Sequence, residues 1–409
     1  MQCFNVHLLL GWHMCQRFYR LIPVYQWSAL FSFKALLISL MMVNRATQPT
    51  FQLSLLITER CNLQCSYCYS KKNLVKSMTF ETAISVIDET LGRLEESTRL
   101  NLLLMGGEPF LSFDLMRGLV KYIRVYYPNR QIFIKTVTNG TLVHGKEQDW
   151  LSENKDIFFA SLSVDGKKET HDKNRCKSYD KIDFDFFTRV YGSKAEASMV
   201  ACPDNLAELA ENVKHVEKLG FNVKCVLADD CQWDANRDRT VLIEQLSQLI
   251  EHYIVNPDIM PFSMLRESLN RVGKPVLDKC RPWINSICVD TEGASWGCHR
   301  CTPLYNQGIW SIPENKLSLK EGLLLEACKT CPVSSICAVC PALVSSLQNK
   351  NNYAKVMCDL FKIVHVANAV FMSRLFIDCP EHVYLKGKSE QERLEIIEGI
   401  QTVLAGIAI

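Results

Sequence analysis

The sequence predicts an α/β protein: a parallel sheet built from six strand–helix repeats, with a smaller cysteine-rich region behind it. Three observations carry this. Between Phe51 and about Asp258, short apolar runs alternate with longer amphipathic segments. The runs are near-continuous in apolar character, as strands buried on both faces are, and parallel strands need crossovers that helices supply. A length of 409 residues is too much for one ordinary core and suggests two domains.

The elements follow in order. Strand 52–58 runs into a cysteine-rich loop, and 79–96 reads as a helix with Ala83, Ile84, Ile87 and Leu91 on one face. Strand 99–105 ends in Gly106-Gly107-Glu108-Pro109, and a helix follows near 112–126. Strand 131–138 ends in Thr138-Asn139-Gly140-Thr141, with a helix near 144–153. Strand 156–164 ends in Asp165-Gly166. Strand 196–202, helix 204–219, strand 221–228 and helix 239–254 complete the series. Beyond a stretch of broken periodicity around Pro257–Pro282, Ser286–Asp290 reads as a hairpin strand turning at Glu292-Gly293, 360–378 as an apolar helix, and 389–409 as an amphipathic one.

Composition narrows the class. A net charge of +2 leaves no electrostatic footprint for nucleic acid. Nineteen cysteines are far above the usual level, yet a chain this long does not need disulfide staples. Their grouping in C-x-x-C units points to metal or iron–sulfur ligation in a reducing compartment, the cytoplasm. Residues 1–48 are a hydrophobic extension, with an apolar run from Trp27 to Val43 interrupted by Lys34 and serines. An over-long start or disordered extension ranks first among its readings, a membrane-surface helix second and a signal sequence third.

The chemistry-bearing residues share one location, the C-terminal ends of the first four strands, where ligand sites gather in parallel α/β folds. After the first strand stand Cys61, Cys65 and Cys68, spaced C-x3-C-x2-C. Three thiolates on one tight loop can hold three corners of a cubic iron–sulfur cluster and leave the fourth iron open for a substrate or cofactor.

With this spacing, an aromatic residue (Tyr67) before the last cysteine, and Gly106-Gly107-Glu108 after the second strand, the chain resembles the radical S-adenosylmethionine (SAM) enzymes over about residues 50–258. The resemblance implies a partial (β/α)6 TIM-like barrel over 49–260. It implies that Cys61, Cys65 and Cys68 hold a [4Fe–4S] cluster whose open iron chelates SAM. Gly106, Gly107 and Glu108 would meet the SAM amino group, Ser163 and Arg175 match SAM-contacting positions, and Asn139 would help line the cavity. Asp165 reads equally as a site residue and as a turn cap.

The second cysteine field comprises Cys280, Gly293, Cys298, then Cys328-x2-Cys331-x5-Cys337-x2-Cys340, and Cys358. Two close pairs alone could form a four-thiolate zinc site. Behind a radical SAM domain the order resembles the SPASM extension, which places a small α+β domain at 261–378 and leaves 379–409 as a helical tail. That resemblance implies two auxiliary [4Fe–4S] clusters: an inner one on Cys280, Cys298 and Cys340, and an outer one on Cys328, Cys331, Cys337 and Cys358. Cys301, near Cys298, is the better candidate for a fourth inner ligand. Cys288, in the hairpin strand, reads as a structural thiol.

What the resemblance implies for activity is reductive cleavage of SAM to a 5′-deoxyadenosyl radical that modifies a peptide or protein side chain, as in thioether or other cross-link formation. A low-potential electron donor of flavodoxin or ferredoxin type would serve it. The alternative is an anaerobic sulfatase-maturating enzyme that oxidises Cys or Ser to formylglycine. Those enzymes carry an aspartate, thought to act as a base, where this chain has His299. A reading of another class is a non-catalytic zinc or iron–sulfur protein.

Overall fold

The computed structural model describes residues 49–70, 74–228, 231–273, 285–304, 328–337 and 350–407, all within one compact unit, Pro49–Ala408. The expected extension 1–48, Cys280 and Cys340 lie outside the described residues.

Six strands alternate with helices along the chain. They are β1 (Thr50–Thr58), β2 (Arg99–Gly106), β3 (Ile132–Thr138), β4 (Phe158–Ser163), β5 (Glu196–Ala201) and β6 (Asn222–Leu227). Between and after them come α1 (Phe80–Arg93), α2 (Phe113–Tyr126), α3 (Lys146–Glu153), α4 (Lys168–Asn174), α5 (Phe184–Tyr191), α6 (Leu209–Lys218) and α7 (Arg237–Val255). A short hairpin, β7 (Ser286–Val289) and β8 (Ser295–Trp296), precedes α8 (Lys350–Asp378) and α9 (Glu390–Gly406). Helix starts follow local chemistry: Thr79 caps α1 by accepting from Thr82 N, and Ser389 with Glu392 forms a capping box on α9.

The sheet order is β6-β5-β4-β3-β2-β1-β7-β8, and β1 to β6 pair in parallel, each with its neighbour in sequence. Right-handed crossovers between sequential neighbours keep the helices on one face of such a sheet and leave the other as a concave lumen. Burial follows that division. Leu100, Leu102 and Leu104 of β2, Ile132 and Ile134 of β3, Ala197, Met199 and Ala201 of β5, and Val223, Cys225 and Leu227 of β6 are buried beneath the helices. The alternate residues on β3 to β6 face the lumen, and several stay accessible, among them Val137 at 38% and Val226 at 59%.

The six-repeat α/β expectation is met, with every expected strand displaced by at most two residues. Two short helices, α4 and α5, also stand between β4 and β5. The cysteine-rich region does not open on a sheet of its own. β7 pairs in parallel with the free edge of β1, Gln52 against Ser286 through Leu55 against Val289, and the hairpin turns with Gly293 at φ +88. α8 packs on α7, and its apolar window Lys355–Asp378 is 67% buried in the protein, as a core helix is. Gly399 of α9 lets that helix touch the 269 turn, where a Cβ would come 2.1 Å from the Leu269 carbonyl oxygen.

Candidate active site

The loop after β1 carries Cys61, Cys65 and Cys68, and the segments that follow β2, β3 and β4 hold it in place. Gly106 and Gly107 run so close beneath it that a Cβ on Gly107 would lie 2.3 Å from the Arg60 carbonyl oxygen and 2.9 Å from Cys61 Cβ. The Gly107 and Glu108 amides donate to the carbonyls of Thr58 and Arg60 at 3.1 and 2.8 Å, which ties the end of β2 to the start of the loop. From β3, Asn139 Nδ2 donates to Asn62 Oδ1 at 2.8 Å, and Asn62 in turn donates to Thr141 Oγ1 at 2.8 Å.

The segment after β4 grips the loop between its cysteines. The Ser66 amide donates to the Asn174 carbonyl at 2.9 Å, and the Gln64 amide to Cys176 Sγ at 3.2 Å. Tyr67 donates its hydroxyl to Asp165 Oδ2 at 2.5 Å. Asp165, with no exposure, also takes both arms of the Arg175 fork, Nε at 2.9 Å and Nη2 at 3.1 Å. The Arg175 guanidinium lies 5.4 Å from the centre of the Tyr67 ring. Burial opposes the charge on Arg175, but Asp165, with smaller contributions from Tyr67 and Cys65, more than offsets it and holds the guanidinium charged. Burial likewise pushes the Tyr67 hydroxyl well up, so that it stays a donor.

Two of the expected site residues also brace the site from within. The Glu108 carboxylate, expected to meet an ammonium group, is 1% exposed and accepts from Phe110 N (3.1 Å), Thr138 Oγ1 (2.7 Å) and Asn139 N (2.8 Å). Three internal donors bind the ends of β2 and β3 through it, because an unpaired buried carboxylate would be costly. The Asn139 side chain, expected to line a cavity, is likewise engaged with Asn62 and Thr141. Ser163 stands at the last position of β4, 9% exposed and paired in register with Ser198. Asp165, read equally as a turn cap, is the anchor of the site. Its position after the fourth strand was the signal; its partners lie nine to ninety-eight residues away.

The loop suits a four-iron cluster. Burial pushes Cys65 up to about 11 and also raises Cys61; the Cys68 charge acts on both and that of Cys61 on Cys65, which puts the three in one neighbourhood. Among the described residues no three His, Cys, Asp or Glu side chains gather as ligands of a single ion would. A cube takes three thiolates at separate corners, and three cysteines on one loop can supply them.

The β7–β8 hairpin docks beside this loop. Lys76 pairs with Glu292 at 2.6 Å, and Thr291 Oγ1 donates to the buried Glu59 at 3.4 Å. Just beyond β8, Arg300 stacks over the ring of Tyr69 at 4.0 Å, so the turn with Cys298 and His299 sits against the loop's trailing end. Cys298 Sγ and Cys301 Sγ are 3.7 Å apart, and that contact is the main cause holding Cys298 down to about 7. Cys288 is fully buried in β7 opposite Trp296. Burial lowers the His299 imidazole to about 4, with Arg300 adding to the shift. Cys328, Cys331 and Cys337 lie on one short turn, and Cys358 of α8 is close enough to Cys328 and Cys331 to feel their charge.

One prediction arises from the glycines. Gly107→Ala must displace the backbone that carries Cys61, and misplacing reacting groups by about 1 Å can cost roughly 100-fold in rate. The variant is expected to fold but to release 5′-deoxyadenosine from SAM about 100-fold more slowly than wild type, measured by chromatography under dithionite.

The model of the 4Fe-4S single cluster domain matches residues 52–181. An uncharacterized protein of Methanocaldococcus jannaschii is 29% identical over 227 residues, which take in 54% of this chain and 71% of that one. A cysteine-type anaerobic sulfatase-maturating enzyme of Clostridium perfringens is 32% identical over 197 residues, 45% of this chain and 47% of the enzyme. The match therefore spans about half the length of that enzyme. Among solved structures, native anSMEcpe with bound AdoMet shares the fold at a TM-score of 0.60 and 21% identity, over 78% of this chain and 100% of that one. Streptococcus suis SuiB bound to precursor peptide SuiA superposes at 0.50 and 14% identity, over 74% of each chain.

Proposed function

We propose that this chain, a radical SAM enzyme by its cluster loop, its parallel barrel and its relatives, modifies a side chain of a peptide or protein. The observation that carries the reading is the cluster loop at the lumen rim, pinned from below by Gly106-Gly107 and from the side by the Asp165–Arg175–Tyr67 knot. Cys61, Cys65 and Cys68 would hold the [4Fe–4S] cluster. Such a cluster, once reduced, would supply the electron that cleaves SAM, so that hydrogen can be taken from a substrate carbon.

The chain's own residues do the positioning. Arg175 spends Nε and Nη2 on Asp165 and keeps Nη1 for a carboxylate such as that of SAM. Ser163, at the same rim, would add a hydroxyl. Gly106 and Gly107, through their backbone, and the Glu108 carboxylate would meet the SAM ammonium. Cys298 with Cys301, and Cys328, Cys331 and Cys337 with Cys358, would hold auxiliary clusters. Such thiols would need a reducing compartment, the cytoplasm, and a low-potential electron donor of flavodoxin or ferredoxin type.

A peptide-sized substrate is supported by the neighbours, since anSMEcpe with AdoMet and a Cp18Cys peptide and SuiB with its precursor peptide SuiA share this fold. Formation of a cross-link on a peptide is our first reading. Oxidation of Cys or Ser to formylglycine is the second, favoured by the Clostridium perfringens relative; there His299, beside Cys298 at the loop's edge, would be the base.

Anaerobic reconstitution with iron and sulfide, followed by dithionite and SAM, tests the reading. Release of 5′-deoxyadenosine is expected, and its absence in fully loaded protein would overturn it. Mass spectrometry on a sulfatase fragment and on peptides encoded beside the gene then separates the two substrates.

A further inference from the structure

The lumen face of the barrel carries a charged rung that the cluster chemistry does not use. By the period of two, Lys135 and Val137 of β3, Phe159, Ser161 and Ser163 of β4, Glu196, Ser198 and Val200 of β5, and Lys224 and Val226 of β6 share that face, opposite the residues buried under the helices. Lys135 Nζ reaches across β4 to Glu196 Oε1 at 2.5 Å, and Lys224 Nζ reaches Glu196 Oε2 at 2.5 Å from the other side. Lys135 also lies 5.3 Å from the centre of the Phe159 ring, and Ser161 and Ser198 share a hydrogen bond of 3.0 Å.

Two ammonium groups thus share one carboxylate. A rung made only to tie strands together needs one lysine; the second leaves a positive charge over. Glu196 pairs with both lysines, and the side chains above the rung are Val137, Ser163, Ser198, Val200 and Val226, none of them acidic; Asp165, two residues beyond Ser163, is spent on Arg175. Burial works against the charge on Lys135, which marks the floor as partly dry and makes an added anion more valuable there. Lys135 stands three residues below Thr138, the end of β3, which is about 10 Å at the rise of a strand. Ser163 belongs to the same face at the rim, so the rung looks up the same lumen that the cluster loop borders.

Resting on the reading of a peptide substrate, we propose that Lys224 and Lys135 bind a carboxylate of that substrate, an Asp or Glu side chain or a free C-terminus, and thereby select acidic peptides. The apolar walls above, Val137, Val200 and Val226, take the neighbouring carbon chain, and the peptide hangs from the rim with its anion on the floor. Glu196 sets the affinity by neutralising one of the two lysines.

The test uses a synthetic positional-scanning library of short peptides, each prepared as the free acid and as the amide, retained on cluster-loaded protein and read by mass spectrometry. Wild type is expected to enrich Asp, Glu or the free acid by about tenfold, in line with one charge-assisted hydrogen bond. Enrichment confined to the free acids assigns the C-terminus; enrichment in the amides as well assigns a side chain. Lys224→Met removes the surplus charge while sparing the Lys135–Glu196 pair, and should return the pool to background. Glu196→Gln frees the second lysine and should raise the enrichment, and it carries the test if Lys224→Met does not fold, as judged by thermal unfolding. No acidic enrichment, no retained peptide, or enrichment indifferent to both variants would overturn the proposal. Release of 5′-deoxyadenosine by wild type, assayed in parallel, reports on the cluster chemistry separately, so a failed selection with intact SAM cleavage sinks only the lumen site.

Discussion

Cys65→Ala should reduce release of 5′-deoxyadenosine to background while the downstream cysteines keep their iron. Cys65 is the middle thiol of the loop, and its backbone neighbours are the most firmly held. Gln64, Ser66 and Tyr67 are each tied to the segment from Asp165 to Cys176. The loop of the variant therefore keeps its course, and what it loses is one of three thiolates. Two ligands do not hold a cube against exchange with solvent, so the site loses its iron. The Cys298–Cys301 pair and the Cys328–Cys337 turn hang on other elements of the chain. Iron per chain should fall by one cluster's worth, and the electron paramagnetic signal that shifts on adding SAM should vanish. Cys202→Ala is the control: that thiol is 5% exposed just beyond β5, and its loss should leave SAM cleavage within about twofold of wild type. Surviving cleavage in Cys65→Ala would mean that the reactive cluster is elsewhere.

Those expectations separate what sequence pattern carries from what only folding reveals. The six strands were legible because each is a short apolar run closed by a motif, and strand ends such as Gly106-Gly107 and Asn139-Gly140 are local signals. α4 and α5 were not, since seven and eight residues of mixed polarity give too little period to distinguish a helix from a loop. α8 begins at Lys350, ten residues before the apolar stretch that announced it, because its first turns are polar. The Ser286 strand was legible, but its place beside β1 was not: a parallel pairing across more than two hundred residues leaves no mark in either segment. The same holds at the site. Cysteines and glycines declare themselves by type and spacing. The bracing role of Glu108 depends on three donors, of which Thr138 and Asn139 come from the next strand and its end. The Lys135–Glu196–Lys224 rung spans four strands and has no motif at all.

Asp165→Ala should destabilise the protein by about 3–5 kcal/mol and also abolish SAM cleavage, and a second substitution should separate the two effects. Asp165 is completely buried and accepts from Arg175, from Tyr67, from the Val200 amide at 3.2 Å and from Asn174 at 3.4 Å. Removing it leaves a guanidinium that is 7% exposed with no counter-charge, and a phenol with no acceptor. Both are uncompensated desolvation, the costly way to break a buried pair. The double variant Asp165→Ala with Arg175→Met removes the stranded charge, and most of the lost stability should return, because a methionine fills much of the arginine stem's volume. SAM cleavage should not return with it, since the arm of Arg175 that would take the SAM carboxylate is gone. Denaturant midpoints measured anaerobically give the first result, and 5′-deoxyadenosine release gives the second. A single variant destabilised by less than about 1 kcal/mol would show that Asp165 does not carry Arg175. Recovery of cleavage in the double variant would show that the pair serves the fold alone. The expected split, stability restored and chemistry not, makes Asp165 a positioning residue: it holds Arg175 charged and aimed at the rim, beside the cluster loop that it also braces.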